Sequence, residues 1–243
     1  MKAMILAAGF GTRLKPFTDA HPKALALVNG KSLLQKNIEY LQKFGIKNVI
    51  VNAHHFANQI VDAIKKNNGW GSDIIISDET DAILETGGGL KRAAWFFKDV
   101  ENFVLLNVDV LTDLRLDKMI NFHLQEKPLA TLATTGRKSS RYFLFDQNDN
   151  LCGWKNIKTG EEKPYPRPLS KGAGSLISKA FSGIHVINSK IFSLINQQEK
   201  FSMVDVYLDL AKNRTIKSFD HSASKFIDVG KPESILMAEK MFR

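Results

Sequence analysis

Small and charged residues near the amino terminus have the types and the spacing that phosphate binding requires. The apolar run Met4 to Ala8 is followed by Gly9, Gly11, Arg13 and Lys23. Glycines carry no Cβ, so backbone N–H groups beside them can approach the oxygens of an anionic ligand. Arg13 adds a planar fork of donors, and Lys23 adds a compact positive charge. The stretch predicts a phosphate site after a buried strand, although an ordinary strand-to-helix turn carries similar glycines.

Two better-known phosphate loops do not fit this stretch. The P-loop pattern G-x-x-x-x-G-K-[ST] is absent from the sequence. A dinucleotide-binding turn needs G-x-G-x-x-G at the start of a helix, but Leu14 occupies the last position and Pro16 interrupts the segment. A nicotinamide-dependent enzyme is therefore a weak alternative. The connection from Gly9 to Pro22 is long for a compact domain, which is typical of binding loops and lids.

Two carboxylates that are far apart in the sequence follow predicted strands. The apolar run Phe103 to Leu106 leads to Asp109, and Asp228 closes a short run within Lys225 to Gly230. Ligands of α/β sheets bind outside the carboxyl ends of the strands. Mg²⁺ prefers a few carboxylate oxygens together with substrate phosphates. The two positions indicate metal-assisted chemistry on a phosphate, while a turn or cap is the commoner role of Asp after a strand.

A second glycine-rich stretch runs from Leu84 to Lys91 and contains Gly87, Gly88 and Gly89. We predict a turn here, with a helix from Arg92 to Phe97 behind it. Three glycines at the start of a helix would allow a flat or charged ligand to approach closely. They would equally suit tight packing of a helix, and the residues of this stretch leave both interpretations open.

The elements that must position these residues alternate along the chain. Apolar residues at helical spacing predict helices at Ser32 to Phe44, Ala57 to Lys66, Leu116 to Leu124, Met203 to Ala211 and from Pro232 onward. Short apolar runs predict strands at Asn48 to Val51, Ile74 to Ile76, Phe103 to Leu106, Leu129 to Thr134 and Phe181 to Ile187. Tyr142 to Leu151 has the pattern of a hairpin, and Lys155 to Ser178 that of a polar, irregular excursion. The alternation predicts an α/β fold, and we expect one domain over residues 1–243.

The composition and charge limit the class of partner. Of the 243 residues, 44% are apolar and 24% charged, as in an ordinary globular protein. Lys and Arg number 34 against 25 Asp and Glu, so the net charge of +9 favours anionic partners. The basic residues are spread along the chain without a nucleic-acid reader motif, so we expect no nucleic-acid partner. No pattern indicates the oligomeric state.

Cysteine usage and the amino terminus indicate the compartment. Cys152 is the single cysteine, which rules out an internal disulfide and a cysteine-based zinc cluster and fits a reducing cytosol. The apolar run before Gly9 is too short for a signal peptide or a membrane span. We therefore expect a cytoplasmic protein without a membrane partner. The pair His54 and His55 lies after the second strand, where a ligand could reach it, but such a pair is more often structural.

Six strings resemble, in order, the motifs of the sugar-1-phosphate nucleotidyltransferase family: L-A-A-G-F-G-T-R-L, P-K, L-E-T-G-G-G, N-V-D, F-S-G-I and D-V-G-K-P-E. They extend from Met4 to the final helix. The resemblance implies a Rossmann-like three-layer sandwich with a mixed, mostly parallel sheet, the nucleotide-diphospho-sugar transferase fold. It also implies an enzyme that condenses a nucleoside triphosphate with a sugar 1-phosphate and releases pyrophosphate, with Mg²⁺ as cofactor. From the short segment after the last helix we expect no appended β-helix acyltransferase domain, which some relatives have.

The resemblance also implies roles for individual residues. The catalytic residues would be Arg13, Lys23, Asp109 and Asp228, and the two aspartates would hold Mg²⁺. The nucleotide would contact Ala8, Gly9, Gly11, Thr12, Arg13, Lys23, Thr86 and Gly87. The sugar would contact Asn107, Ser182 and Gly183.

Three positions depart from the family pattern. Val108 stands where relatives usually have Gly before the first metal-binding Asp, so we expect altered contacts to the nucleotide and the sugar there. Lys231 replaces the Thr of many relatives, and Ala24 replaces the second Pro of a common P-K-P; neither change removes a charged group. Glu162 to Pro164 resembles a sugar-binding E-K-P string, but it lies in the polar excursion and we leave it outside the predicted site.

The base and the sugar are indicated by fewer residues. L-E-T-G-G-G, with Gly153 to Asn156 and Thr159 to Glu161, is most similar to the N-acetylmuramate 1-phosphate uridylyltransferases of peptidoglycan recycling. That similarity implies UTP and N-acetylmuramic acid 1-phosphate. Mannose 1-phosphate guanylyltransferases and hexose 1-phosphate uridylyl- or thymidylyltransferases share most other motifs, and choline-phosphate cytidylyltransferases share the fold. A non-catalytic regulator that binds nucleotide sugars is a different class, against which the retained carboxylates and cations argue.

Overall fold

The computed structural model describes residues 1–163 and 175–243, whose strands form one ten-stranded sheet and two small ribbons. The strands are β1 (Lys2–Leu6), β2 (Leu27–Val28), β3 (Lys31–Ser32), β4 (Asn48–Ala53), β5 (Asp73–Asp78), β6 (Asn102–Asn107), β7 (Val110–Thr112), β8 (Ala130–Thr135), β9 (Arg141–Phe145), β10 (Leu151–Asn156), β11 (Glu162–Lys163), β12 (Ile177–Asn188), β13 (Ile216–Asp220) and β14 (Phe226–Asp228). The α-helices are α1 (Leu33–Gln42), α2 (Ala57–Lys66), α3 (Glu85–Arg92), α4 (Leu116–Glu126), α5 (Met203–Leu210) and α6 (Pro232–Met241). In the described part of the chain, no helix is long and apolar enough to cross a membrane.

The main sheet is mixed, with a parallel centre. Strands β5, β4, β1 and β6 are neighbours and run parallel. Next to β6 lies β12, which is antiparallel both to β6 and to β8, and β8 is parallel to β13. In the order β5-β4-β1-β6-β12-β8-β13 only β12 therefore runs against the others. The first residues of β12 also pair with β9, from which β10 and β11 continue as an antiparallel extension. The predicted mixed, mostly parallel sheet is confirmed.

Helices cover both faces of this sheet because its central strands are apolar on both faces. Ile5 of β1 is fully buried and shares a core with Leu34 of α1 and Ile60 of α2. Its neighbour Met4 points to the opposite face and shares a second core with Leu90 of α3 and Tyr207 of α5. Full burial of one such aliphatic side chain stabilises the fold by about 1.5–3 kcal/mol. The two cores make the molecule a three-layer sandwich, as predicted.

Local signals set the limits of α1, a helix that the sequence predicts well. Ser32 caps its amino terminus, since the side-chain oxygen accepts a hydrogen bond from Gln35 N at 3.1 Å. At the other end, Gly45 has a φ of 73° and donates to Gln42 O at 2.9 Å. A side chain at such a φ would be strained, so glycine suits this end of the helix. The other predicted helices at Ala57, Leu116, Met203 and Pro232 also form, and the predicted hairpin is β9 with β10.

The prediction for the second glycine-rich stretch is wrong. Glu85–Arg92 is itself the helix α3, and only a short 3₁₀ helix, Ala94–Phe97, follows it. Glycine is a poor helix former, but tertiary contacts outweigh its propensity here. The backbone N–H groups of Gly87 and Gly88 donate to Phe201 O at 2.9 and 3.3 Å, which anchors the first turn of the helix.

Several short strands were missed. The small strands β2 and β3, the edge strand β13 and the strand β7 are too short or too polar to stand out as apolar runs. The most consequential is β7, which begins directly after Asp109 and pairs antiparallel with β14. Of the predicted polar excursion, residues 155–163 include the end of β10 and all of β11, and 175–178 include the start of β12. The remainder, residues 164–174, lies outside the described residues.

Candidate active site

A cavity of about 430 Å³ opens at the carboxyl ends of β1, β4 and β6. Its walls are the loop after β1, the ends of these strands, the start of α3 and the segment after β14. The predicted site residues that line it are Ala8, Gly9, Gly11, Thr12, Arg13, Lys23, Thr86, Asn107 and Asp109. Residues from four distant parts of the sequence are thus brought together at the edge where α/β sheets bind ligands.

The remaining predicted site residues lie beside or behind this wall. Asp228 is next to Gly230, which does line the cavity. Gly183 packs behind Asn107, because a Cβ on it would lie 2.7 Å from Asn107 Nδ2. Ser182, adjacent to Gly183, is buried. Gly87 is directed away from the cavity, since a Cβ on it would lie 2.4 Å from the ring of Phe201.

The glycine loop folds back so that its cations come close to its backbone. Gly11 has a φ of 63°, and its carbonyl oxygen accepts hydrogen bonds from Leu14 N at 2.8 Å and Thr18 Oγ1 at 3.0 Å. A Cβ on Gly11 would lie 2.9 Å from Thr18 Cγ2 and 3.0 Å from Lys23 Cβ. Only glycine allows this approach at an unstrained backbone. This close packing places the Lys23 side chain against the backbone of the loop.

Lys23 forms an ion pair with Asp109. Its Nζ donates a hydrogen bond to Asp109 Oδ2, and the two side chains are only 10% and 15% exposed. Removing one partner of a largely buried ion pair leaves an uncompensated charge, which is strongly unfavourable. The pair therefore fixes Asp109 at the cavity wall and keeps a cation beside it.

The pairing of β7 with β14 brings the second carboxylate to the same place. Asp228 lies opposite Val110 in this ribbon, and Val229 N donates to Asp109 O at 2.8 Å. Partial burial and the nearby Asp109 carboxylate raise the pKa of Asp228, while Lys23 and Arg13 oppose the rise. Arg13 Nη2 lies 4.0 Å from Asp228 Oδ2. The missed strand β7 is thus the element that assembles two carboxylates and two cations.

The donor set at this edge fits Mg²⁺. Over residues 1–163 and 175–243, no group of three or more His, Cys, Asp or Glu side chains could enclose a metal. Asp109 and Asp228 form a pair of hard oxygen donors. Their mutual repulsion, which adds to burial in raising the pKa of Asp228, would be relieved by a divalent cation. Mg²⁺ commonly binds through one or two carboxylates and completes its coordination with substrate phosphates and water. The two residues would hold the ion in that manner.

A second wall of the cavity contains residues that the sequence analysis missed. Asn52 Oδ1 accepts from Ala7 N at 2.7 Å, and Asn52 Nδ2 donates to Glu79 Oε1 at 2.8 Å. Glu79 is 1% exposed, and burial raises the pKa of its carboxyl group above the ordinary value. Asn52 belongs to β4 and Glu79 follows β5. The strand-end rule that identified Asp109 would have identified both, had it been applied to these strands.

The residue that departs from the family pattern causes no backbone strain. Val108 is 4% exposed and has no positive φ, so the position does not require glycine in this chain. Its N–H donates to Leu6 O at 3.1 Å, and its carbonyl oxygen accepts from Asn37 Nδ2 at 2.8 Å. Val108 also lines the cavity. The side chain narrows the cavity without displacing the strand end that carries Asp109.

A larger cavity, of about 840 Å³, lies at the opposite edge of the sheet. It is lined by residues near the start of β6 and the end of β12, such as Asn102 and Asn188. None of the predicted site residues contributes to it. The histidine pair does not line the active-site cavity either. The ring centroids of His54 and His55 lie 5.7 and 5.5 Å from that of Phe10.

Comparison with known proteins agrees with this geometry. The family description "Nucleotidyl transferase" matches residues 2–243. Mannose-1-phosphate guanyltransferase of Yarrowia lipolytica is 29% identical over 97% of this chain and 62% of its own length, so the chain spans less than two thirds of that relative. N-acetylmuramate alpha-1-phosphate uridylyltransferase of Caulobacter vibrioides is 41% identical over 44% of this chain and 45% of its own length.

Solved structures share the fold at low sequence identity. HddC from Yersinia pseudotuberculosis, complexed with GMP-PN, superposes with a TM-score of 0.78 at 24% identity, covering 100% of this chain and 99% of that one. A putative glucose-1-phosphate thymidylyltransferase from Bacillus anthracis gives a TM-score of 0.80 at 18% identity, covering 99% and 94%. The predicted nucleotide-diphospho-sugar transferase fold is thereby confirmed. With the family description matched along almost its whole length, this chain belongs to the nucleotidyl transferase family.

Proposed function

We propose that this protein is an enzyme that condenses a nucleoside triphosphate with a sugar 1-phosphate and releases pyrophosphate, with Mg²⁺ as its cofactor. The observation that carries the proposal is the β7–β14 ribbon, which brings Asp109 and Asp228 together beside Lys23 and Arg13. Binding alone would not require two carboxylates next to two cations at one cavity edge. Metal-assisted transfer of a phosphoryl group does require them, because charge develops on both reacting oxygens.

The reaction needs positioning and charge neutralisation more than proton transfer. A sugar 1-phosphate is already an anion at neutral pH, so its oxygen can attack the α-phosphorus of the triphosphate without a general base. We assign the triphosphate to Gly11, Thr12 and Arg13, and the reacting phosphates to Lys23. Mg²⁺ at Asp109 and Asp228 would supply positive charge to the same phosphates. Holding both substrates in line contributes several kcal/mol, about 7 or more in favourable cases.

The remaining contacts follow from the cavity walls. We assign the nucleobase to Ala8, Gly9 and Thr86 on one side, with Gly87 supporting Thr86 from within α3, and the sugar to the Asn107 side. Thr86 is held in place because its Oγ1 accepts a hydrogen bond from Met203 N at 2.9 Å. The sugar assignment extends from Asn107 to Ser182 and Gly183, which lie behind it.

Our preferred substrates are UTP and N-acetylmuramic acid 1-phosphate. The L-E-T-G-G-G string and the 41% identity of the partial match to the Caulobacter uridylyltransferase support this choice. Such a reaction would serve peptidoglycan recycling, and we place it in the cytoplasm, in agreement with the single cysteine of the sequence, which excludes an internal disulfide.

A second candidate is mannose 1-phosphate guanylyltransferase activity. The Yarrowia relative of that name matches 97% of this chain, whereas the uridylyltransferase match covers 44%. Hexose 1-phosphate uridylyl- or thymidylyltransferase activity is a third possibility, since the same motifs occur there. A non-catalytic nucleotide-sugar regulator would use the same cavity without turnover.

Pyrophosphate release distinguishes these candidates. The assay combines Mg²⁺ with UTP, GTP, dTTP, CTP or ATP and with several sugar 1-phosphates, among them those of N-acetylmuramic acid and mannose. We expect the strongest turnover with UTP and the muramate. GTP with mannose 1-phosphate as the best pair would select the second candidate. A folded protein that binds nucleotides but releases no pyrophosphate with any pair would support the regulator.

Two variants test the role of the carboxylates in the same assay. Asp109→Asn and Asp228→Asn keep the side-chain size and are expected to abolish Mg²⁺-dependent turnover, because each removes a charged metal ligand. Asp117→Asn is the matched control, since Asp117 is an exposed carboxylate on α4 paired only with Arg115. Near-normal turnover by either site variant would remove that residue from the proposed mechanism.

A further inference from the structure

Strand β12 carries a bulge where it passes the active-site cavity. Its pairing with β8 shifts register between Phe181 and His185, and Gly183 within this segment has a φ of 71°. A bulge leaves backbone groups without their usual ladder partners and bends the strand. In the segment from Phe181 to Ile184, side chains from elsewhere in the fold must therefore supply the hydrogen bonds that the β8 side of a regular ladder would supply.

The bulge determines the position of Asn107 at the cavity wall. A Cβ on Gly183 would lie 2.7 Å from Asn107 Nδ2, so the amide rests directly on the glycine. Within residues 1–163 and 175–243, the Asn107 side chain makes no hydrogen bond. Packing on Gly183 is what holds it, and a shift of the bulge would shift the amide.

Arg137 supplies one of the missing partners. Its Nη2 donates to Phe181 O at 2.8 Å, and its Nη1 reaches Thr135 Oγ1 at 3.4 Å. The guanidinium also lies over the ring of Phe226, with 4.7 Å between Cζ and the ring centroid. Phe226 opens β14, the strand that ends at Asp228. One side chain thus connects the bulge of β12 to the strand that carries the second carboxylate.

His221 holds the same segment through the side chain of Ser182. Its Nε2 lies 2.8 Å from Ser182 Oγ, its backbone N–H donates to Thr134 O at 3.0 Å, and its ring meets that of Phe226 edge-on at 5.7 Å. The residue is 3% exposed, and burial lowers the pKa of the ring to about 4, so it is neutral at pH 7.

The other ring nitrogen of His221 has no partner. Among the residues that the structure describes, Nδ1 is the only buried side-chain nitrogen or oxygen without a hydrogen bond. A buried unpaired polar atom is costly, and proteins rarely retain one without a reason. The bond from Nε2 to Ser182 is therefore the polar contact that the His221 ring contributes to the bulge.

We infer that Arg137 and His221 are positioning residues for the sugar 1-phosphate: they fix the Phe181–Ile184 bulge and, through Gly183, the Asn107 amide that faces the sugar. This inference rests on the proposed function. Neither residue lines the cavity, and both act through the bulge. They touch no part of the glycine loop, so the contacts of the triphosphate with that loop should be independent of them, while the charge of Arg137 also opposes the raised pKa of Asp228.

The chain offers a matched control for each residue. His123 is also a buried histidine, 1% exposed, whose ring pKa burial lowers to about 4, and it is bonded to the hydroxyl of Thr131 on β8. It differs in being remote from the bulge and in having both nitrogens partnered, the second by Asn102. Arg141 is the control for Arg137, since it is an exposed arginine at the start of β9.

Steady-state kinetics with both substrates varied test the inference. Arg137→Ala and His221→Leu are expected to raise KM for the sugar 1-phosphate about tenfold while KM for the triphosphate stays within about twofold. Arg137→Lys should recover most of the loss, because an ammonium can still donate to Phe181 O. Arg141→Ala and His123→Leu should leave both KM values unchanged, although His123→Leu lowers thermal stability. Equal changes in both KM values, or none, would overturn the inference.

Hydrogen exchange gives a readout that does not depend on turnover. In substrate-free protein, the backbone amides of Ser182, Gly183 and Ile184 should exchange about tenfold faster in Arg137→Ala than in the wild type or Arg141→Ala. Unchanged exchange would overturn the inference even if the enzyme is active. A wild type without turnover on any sugar 1-phosphate would contradict the proposed function and, with it, the sugar-positioning role. Faster exchange in that protein would then show a purely structural role for Arg137.

Discussion

The two glycine-rich segments of this protein use the same residue type for opposite purposes. In the loop after β1, a Cβ added to Gly9 would meet nothing within 4 Å, and both Gly9 and Gly11 line the cavity. In α3, a Cβ added to Gly87, Gly88 or Gly89 would meet another atom at 2.4, 2.4 or 2.6 Å. Gly9 leaves space beside a ligand site, whereas the helix glycines, like Gly11 beside Thr18 and Lys23, let other parts of the protein come close to the backbone.

A glycine in the sequence thus indicates only that a ligand or another part of the protein can approach the backbone, and not which of the two does so. The partner of the loop is the cavity, while the partners of α3 are Phe201, the carbonyl oxygen of Glu199 and Glu79. The residues of the second segment are compatible with ligand binding and with packing, and the structure favours packing. Substitutions on the two sides should therefore separate activity from stability.

The largest effect is expected for Lys23, whose side chain packs against the glycine loop. Lys23→Met removes the cation from beside Asp109 and is expected to lower kcat/KM by about 10²–10³-fold, because charge on the reacting phosphates loses its neutralisation. Lys15→Met is the control, since Lys15 lies in the same loop but its pair with Asp19 is exposed. Pyrophosphate release measures both. A loss in kcat/KM of less than about threefold would contradict the role of Lys23 in neutralising charge on the reacting phosphates.

The next effect belongs to the helix and concerns stability. Gly88→Ala places a Cβ 2.4 Å from the backbone oxygen of Glu199, which no side-chain rotation can relieve. We expect the free energy of unfolding to fall by about 1–3 kcal/mol, the range for an overpacked site. Denaturant unfolding monitored by circular dichroism measures it. Unchanged stability would mean that the packing of α3 is loose, and the contrast with the loop would disappear.

Gly9→Ala is the counterpart of that variant. Because the space around Gly9 is open, we expect the free energy of unfolding to change by less than about 0.5 kcal/mol. The added methyl group occupies ligand space, so KM for the triphosphate should rise about fivefold to tenfold. The two measurements must be made on one preparation. A lowered free energy of unfolding with an unchanged KM for the triphosphate would show that Gly9 is needed for packing and not for ligand space.

The smallest effect concerns pH and the residue on which Gly89 packs. Burial raises the pKa of Glu79, so the folded state favours its neutral form. The stability that this form contributes is present below the ordinary glutamate pKa near 4.5 and is lost as the pH rises through the raised value. Glu79→Gln keeps an oxygen that accepts from Asn52 and cannot ionise. Its unfolding free energy, relative to the wild type, should increase from pH 5 to pH 8; a constant difference would contradict the assignment.

The sequence predicted those parts of the site that depend on local chemistry. Lys23, Arg13 and Asp109 stand out because they follow or flank predicted strand ends, where α/β sheets bind ligands, and all three lie at the cavity. The α/β fold followed from apolar periodicity and the alternation of elements, while the three-layer sandwich was implied by the family resemblance. Helix α1 was recognisable from its apolar spacing and from Gly45 after it.

The parts that escaped prediction depend on contacts between distant segments. Strand β7 has three residues, and its pairing with β14 is specified by neither segment alone. The α3 glycines became helical through the carbonyl oxygen of Phe201, more than a hundred residues away in the sequence. Glu79 is buried against Asn52 although its residue type predicts exposure. Each case reflects tertiary context that overrides a local propensity.

The β7–β14 ribbon also affects the order in which contacts form during folding. The two carboxylates are about 120 residues apart in the chain, a separation whose loop-closure entropy must be overcome before their contacts form. A nascent chain can therefore form the β1–β4 pair before β14 has been synthesised, but it cannot yet bring Asp228 to Asp109. Recovery of activity after dilution from denaturant would then require the pairing of β14 with β7 in addition to the earlier local contacts.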